Sequence, residues 1–194
     1  MSVVLGVRDV DAGGRHVCAF HSGKNDLLEL LVPYFLAGLS NGELCMWVIS
    51  EVINRDEAIN SIEKAALKKG IRMDRDQIEI LSFEDWYLQD GVFQAGRVKR
   101  AWRERLSLAL SKGYRCLRIT GDTSWLGPED WDKFVRYEDE IGREFATDPL
   151  VAMCTYPLNR VPRPNIDQVL ATHQFGVIKR CGEWNLLRAA GPDR

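Results

Sequence analysis

What the chain lacks narrows it first. No apolar run among its 194 residues approaches the roughly 20 needed to cross a bilayer, which argues against a helical membrane span. The opening residues, MSVVLGVRDVDAGG, have no basic start followed by a sustained apolar core, so no signal peptide is expected. There is no CxxC pair: Cys18, Cys45, Cys116, Cys154 and Cys181 form an odd, irregularly spaced set. That argues against a disulfide framework and fits a reducing cytoplasm, the expected location. Neither sign of charge is in excess, with 26 Lys and Arg against 28 Asp and Glu and a formal net charge of −2. Because the two signs are interspersed, direct binding to nucleic acid or to an anionic membrane is not expected. The most basic stretch, Arg97 to Arg105, alternates with apolar residues at helical spacing and reads as a solvated helix face. Internal repeats, low-complexity tracts and linkers rich in Pro, Gly and Ser are also missing.

What remains is an alternation of strand and helix signals. Short apolar runs rich in β-formers lie at 16–20, 44–50, 78–82, 115–120 and 150–155. Between them, 25–39, 55–68, 94–112, 129–146 and 165–173 carry apolar residues at i, i+3, i+4 spacing, several closed by Gly stop signals. The tail reads as a hairpin, Gly176–Arg180 against Glu183–Leu187 across Cys181-Gly182. Nearly continuous apolar strands joined by helices imply a mainly parallel sheet covered on both faces. The expected fold class is α/β, a three-layer sandwich with a C-terminal antiparallel hairpin. Residues 1–14 are expected to be a loose lead-in and 15–190 a single domain. In such sheets ligands sit at the carboxyl ends of the strands.

The stretch HVCAFHSGKNDLLELLVPYF (16–35) ends a strand in Gly23-Lys24 and enters a helix, as a phosphate loop would. That loop needs an earlier glycine, so that backbone N–H groups converge on phosphate, and a hydroxyl after the lysine for magnesium. Here Cys18 holds the glycine position and Asn25 the hydroxyl position. The parts that do the chemistry are gone, and a plain turn with Asn25 as N-cap is the simpler reading.

Several side chains are candidates for a site. His16 and Cys18 alternate on one face of their strand, and His21 follows at its carboxyl end. Cys154 and Tyr156 end another strand, and His173 ends a helix. If these converge, two thiols and two imidazoles suit a zinc or soft-metal site. The alternative is that the cysteines are small core residues and His16 bonds a backbone carbonyl. Asp122 ends a strand and either contacts a ligand or caps the turn into Thr123-Ser124. Trp125, and Trp86-Tyr87 after another strand, either wall an apolar pocket or fill the core. Tyr137-Glu138 lies in an amphipathic helix, with Glu138 solvated, capping or paired to an arginine. No nucleophile turn or carboxylate pair stands out, so covalent catalysis is unsupported.

Four segments together resemble the MEDS domain, the sensory domain named for methanogens, methylotrophs and the dichloromethane-responsive repressor. They are HVCAFHSGKNDLLELLVPYFLAGLSNGELCMWVIS (16–50), RCLRITGDTSW (115–125), YEDEI (137–141) and MCTYPLNR with the downstream Thr172-His173. The resemblance covers about residues 15 to 175. It implies a RecA- or KaiC-like core with a degenerate phosphate loop. It also implies sensing of small molecules, with hydrocarbon derivatives as the class, and output through DNA-binding or kinase-type modules. Two departures, His21 where relatives often carry an aromatic and Lys24 where they are often acidic, leave this member's ligand open.

The function expected is non-enzymatic sensing of a small molecule at the carboxyl edge of the sheet. The site residues expected are His16, Cys18, His21, Asp122, Trp125, Cys154, Tyr156 and His173. Imidazoles and the phenol would orient the ligand and the aromatics exclude water. No cofactor is identified and no metal ligand is assigned. No output module is expected within this length, so signalling calls for a signalling or transcription-regulatory partner or for self-association. Two alternatives stand beside it: a nucleotide-binding or hydrolysing protein using Lys24 and Asp122, and a metal or redox sensor built on Cys18, Cys154 and the histidines.

Overall fold

Strands that are apolar on both sides need a helical layer over each face, and this fold supplies two. A computed structural model describes residues 16–49, 51–161 and 163–188. Within them, one seven-stranded sheet has the order β3-β2-β4-β5-β1-β6-β7. Its strands are β1 (His16–His21), β2 (Leu44–Ile49), β3 (Ile78–Ser82), β4 (Leu117–Asp122), β5 (Leu150–Pro157), β6 (Phe175–Arg180) and β7 (Glu183–Leu187). Every neighbouring pair is parallel except β6 with β7, which form the anticipated hairpin with Gly176 opposite Leu187 and Arg180 opposite Glu183. Cys181 (φ 52°) and Gly182 (φ 83°) both take left-handed backbone in its two-residue turn, which matches the twist of the flanking strands. The three-layer α/β sandwich is the architecture found. The lead-in at 1–14 and Ser50 of the expected second strand lie outside the described residues.

Helices α1 (Lys24–Ser40) and α2 (Arg55–Lys69) cover one face. The short α3 (Phe83–Trp86), α4 (Ala95–Ser111), α5 (Trp131–Glu144) and α6 (Arg163–Thr172) cover the other. Alternation along β1 divides it between two cores: Cys18 and Phe20 face the α4–α6 side, Val17 and Ala19 the α1–α2 side. Local chemistry sets the helix ends. Asn54 and Glu57 form a reciprocal capping box at the start of α2, and Gly70 stops that helix at φ 66°. The cap of α1 is Gly23, not Asn25. Asn25 falls inside the first turn, and it is Asp26 that reaches back, its Oδ2 accepting from Ser22 N–H at 3.0 Å.

The basic stretch of α4 is largely committed to neighbouring acids. Lys99 bonds Glu140 and Glu144, Arg103 bonds Glu144, and Arg105 bonds Glu79. Cys45 is core, whereas Cys116 is partly exposed just before β4.

Under α1 the sheet carries a buried ion pair. Arg118 Nε of β4 donates to Glu43 Oε2 at 2.5 Å, and its guanidinium lies 4.6 Å over the Tyr34 ring. Gly38 makes the space, since a Cβ there would sit 2.7 Å from both Arg118 Cδ and Cys45 Sγ. Removing one partner of such a pair leaves an unbalanced interior charge, which costs far more than the intact pair contributes. Glu43→Ala should therefore lower the unfolding free energy by about 3–5 kcal/mol in chemical denaturation. A loss under about 1 kcal/mol would put the pair in the class of exposed ones.

Candidate functional site

On the α4–α6 face, four elements bring four functional side chains to one point. β1 contributes His16, its first residue, and β5 contributes Cys154. α5 contributes Glu138, and His173 follows the last turn of α6. The backbone fixes His16 firmly: its N–H donates to Gln174 Oε1 at 3.1 Å and its carbonyl accepts from Gln174 N–H at 3.0 Å. Gly142, one turn beyond Glu138 on α5, leaves room for the ring, for a Cβ there would lie 3.2 Å from His16 Nδ1.

All three neighbours converge on one carboxylate oxygen. Glu138 Oε2 lies 2.9 Å from His16 Nε2, 3.2 Å from His173 Nε2 and 3.3 Å from Cys154 Sγ. The Cys154 sulfur is also 3.6 Å from His16 Nε2, and the two imidazole centroids are 4.1 Å apart. All four residues are buried. Glu138 Oε1, His16 Nδ1 and His173 Nε2 have no aligned hydrogen-bond partner, although the Thr172 carbonyl is close enough to His16 to favour its protonated form.

Burial opposes every charged form here, yet the outcome differs by residue. It pushes the Glu138 carboxyl up, but the hydrogen bond with His16 and the closeness of both imidazoles outweigh it and hold the group down at about 2. His16 is lowered by burial and by the neighbouring His173, against the pull of Glu138. The Cys154 thiol is raised well above its ordinary value by burial and by the Glu138 charge. A carboxylate, two imidazoles and a thiol with donor atoms all within 4.8 Å of one another are also a possible metal-ligand set.

The other expected residues are distributed differently. Cys18 shares the face and pairs in register with Cys154, but its thiol approaches the Phe175 carbonyl at 3.7 Å and stands outside the cluster. Tyr156 packs edge-on to His173 at 6.1 Å between centroids and beside Phe20 at 5.7 Å.

His21 and Asp122 occupy the opposite face, at the carboxyl ends of β1 and β4, with Nε2 and Oδ2 3.5 Å apart. Asp122 Oδ1 accepts from Ser124 N–H at 2.8 Å, so it does cap that turn, and its Oδ2 accepts from Thr155 Oγ1 at 3.0 Å. Neither nitrogen of His21 has a hydrogen-bond partner, although the ring is only 2% exposed. Trp125 stacks on Tyr87 at 5.1 Å and contacts Phe93 and Phe134, forming an aromatic wall on the α4–α6 face. A pocket of about 220 Å³ lined by Phe93, Ala95, Lys133, Arg136, Tyr137 and Glu140 contains none of the expected site residues.

Glu138 is the residue that sequence reasoning misplaced. Expected as solvated, capping or paired to an arginine, it is 2% exposed and paired to histidines. Its position carried the signal: Phe134, Tyr137, Glu138 and Ile141 are the buried stripe of α5 at i, i+3, i+4, i+7. An acid inside an apolar stripe marks a buried charge awaiting partners.

Comparison with known proteins gives the family and the fold. Residues 15–174 match the family described as MEDS, the MEthanogen/methylotroph, DcmR Sensory domain. The chain is 25% identical over 174 residues to the transcriptional repressor DcmR of Methylorubrum extorquens, covering 82% of this chain and 58% of that protein. It thus spans a little over half the length of that curated relative. Among solved structures, a KaiC-like protein from Pyrococcus horikoshii OT3 superposes with a TM-score of 0.52 at 12% identity. That match covers 89% of this chain and 76% of the other and shows a shared RecA- and KaiC-type fold.

The two lowered pKa values give the cluster a pH signature. Below about pH 6.5 the unfolded chain protonates His16 while the folded chain resists, so stability falls with falling pH. Glu138 adds a second loss, from about pH 4.3 in the unfolded chain down to its folded value near 2. In metal-free protein, melting temperature should decline through both windows, and Glu138→Gln should flatten the lower one relative to wild type. A variant profile parallel to wild type below pH 4.3 would contradict the assigned charge state.

Proposed function

Since the chain belongs to the MEDS family of sensory domains, we propose that it binds a small molecule at the carboxyl edge of its sheet and relays occupancy to a regulatory partner. Hydrocarbon derivatives are the class proposed. The observation that carries the location is His21. Leaving a buried polar group unpaired costs about 1–3 kcal/mol, and both nitrogens of this ring are in that state beside Asp122. A ligand bearing one hydroxyl, carbonyl or halogen would recover part of that cost.

The surroundings support the reading. The chain leaves β1 for α1 on one face and β5 for α6 on the other, the kind of divergence at which α/β sheets take ligands. The segment after β5 closes over this edge: Leu158 N–H donates to the His21 carbonyl at 2.9 Å, and Arg160 donates to the Ser124 carbonyl. Entry of a ligand then requires that segment to shift, and a shift that depends on occupancy is what a sensor transmits. Residues 15–190 are proposed as the sensory unit, cytoplasmic and acting through a transcription-regulatory partner or a second copy. The similarity to a transcriptional repressor supports that output. Among the described residues, no helix is long and apolar enough to cross a membrane. The nucleotide reading fares less well, because Lys24 Nζ is engaged by Glu57 at 2.8 Å.

Ligand-observed NMR against a panel of short halogenated, hydroxylated and carbonyl-bearing hydrocarbons tests this directly. Saturable binding is expected, weakened at least about tenfold in His21→Ala, a loss of about 1.4 kcal/mol. Absence of binding across the panel, or tight magnesium-ATP binding abolished by Lys24→Ala, would overturn the proposal.

A further inference from the structure

The cluster on the α4–α6 face holds a second piece of chemistry, independent of the carboxyl edge. Its proton count comes first. His173 Nδ1 lies 2.7 Å from the Val169 carbonyl, which can only accept, so Nδ1 carries a hydrogen. In the neutral ring Nε2 then bears a lone pair, and it faces Glu138 Oε2 at 3.2 Å. Two lone pairs at that separation in a buried site repel unless something positive lies between them. The second carboxylate oxygen, Oε1, has no partner at all. The arrangement therefore calls for one more positive centre than the side chains supply in their neutral forms.

We propose that His16 Nε2, Glu138, Cys154 Sγ and His173 Nε2 form a closed, four-ligand site for a zinc-class divalent cation. A tetrahedral ion with bonds of about 2.0–2.3 Å holds its ligand atoms roughly 3.3–3.8 Å apart. Four of the six separations, 2.9 Å, 3.2 Å, 3.3 Å and 3.6 Å, need to open by at most a few tenths of an ångström, and the others, all within 4.8 Å, need to close. Two imidazoles, a carboxylate and a thiolate are the borderline donors that zinc-class ions take. The charges close as well: the Cys154 thiol loses its proton to solvent, and one carboxylate and one thiolate neutralise the dication. A net neutral group is what a fully buried site tolerates.

The surrounding contacts fit the same role. Metal-bound histidines usually give their other N–H to a carbonyl or carboxylate, which fixes the ring. His173 does so to Val169, and the Thr172 carbonyl stands beside His16. The ligands come from β1, α5, β5 and the end of α6, so the ion would clamp two helices to the two central strands. With four protein ligands there is no open position for substrate, which makes the site structural or regulatory and not hydrolytic. Cys18, held by the Phe175 carbonyl, is outside it.

Cobalt(II) reports the geometry. The full chain, stripped with a chelator and titrated with Co²⁺, is expected to bind one equivalent. It should develop the intense visible bands of tetrahedral cobalt and a thiolate-to-cobalt charge-transfer band, both displaced by Zn²⁺. Cys154→Ser should abolish the charge-transfer band, and His173→Gln should weaken affinity by at least about 100-fold, the upper end of what even outer-shell changes cost. Cys18→Ser should leave both unchanged. Uptake below about 0.1 equivalents, octahedral spectra, or sulfur bands that survive Cys154→Ser would each overturn the proposal. Should Cys154→Ser fail to fold, the wild-type spectrum still decides, since cobalt bound without a sulfur band excludes this ligand set.

Discussion

A carboxylate shut away from water inside an α/β sandwich must be answered by donors or by positive charge, and Glu138 sets the terms for everything around it. Its helix face would otherwise be an ordinary apolar stripe against the sheet. Because an acid stands in that stripe, β1 opens with a histidine, β5 places a thiol opposite, and α6 ends in a second histidine. Gly142 keeps the helix close enough for the contact. A lone buried carboxylate would be neutralised by protonation, yet this one is held in its charged form by the two imidazoles. The opposite face repeats the logic with Arg118 and Glu43, where Gly38 admits the guanidinium beneath α1. The two differ in kind: the arginine pair carries its own fixed counter-charge, whereas Glu138 is answered by imidazoles.

One strand serves both candidate sites. β1 begins at His16, which turns to the α4–α6 face, and ends at His21, which turns to the other. Alternation makes this possible, since residues an odd number apart on a strand point to opposite sides. β5 connects the two regions as well, through Cys154 on one face and Thr155, bonded to Asp122, on the other. At the far end of β5 the chain passes over the carboxyl edge before α6, and α6 delivers His173 to Glu138. The edge and the cluster are therefore joined by one continuous stretch of chain from Cys154 to His173.

Strand and helix positions were legible in the sequence because they rest on local pattern: apolar runs, helical spacing and stop glycines. The hairpin was legible to the register, since Cys181-Gly182 is a two-residue turn between matched runs. Less local facts were hidden. Nothing in a linear pattern says that β1 lies between β5 and β6, so the meeting of His16 with Cys154 and His173 could be raised only as a conditional convergence, and Glu138, 122 residues from His16, was not part of it. Glu138 was passed over because residue type outweighed position: an acid on an amphipathic helix reads as solvated by default. Cys18 erred the other way, since it shares the face and the register with Cys154 while its sulfur turns toward a backbone carbonyl.

The turn after β1 has the outline of a phosphate loop without its chemistry. A helix N-terminus offers unsatisfied N–H groups and a positive dipole end, and phosphate loops exploit both. In this chain the anion there is its own. Asp26, in the first turn of α1, accepts from Ser22 N–H at 3.0 Å and is paired to Lys179 at 3.2 Å. The lysine that looked like a phosphate ligand points elsewhere, to Glu57 of α2. A phosphate arriving at this corner would meet a carboxylate already seated and a cation already spent. The unpaired polar atoms lie instead at the carboxyl end of β1, on the His21 ring beside Asp122. With its own carboxylate seated at that helix terminus, the fold leaves the proposed ligand recognition to the end of β1, where the chemistry would be set by an imidazole and not by a cradle of amides.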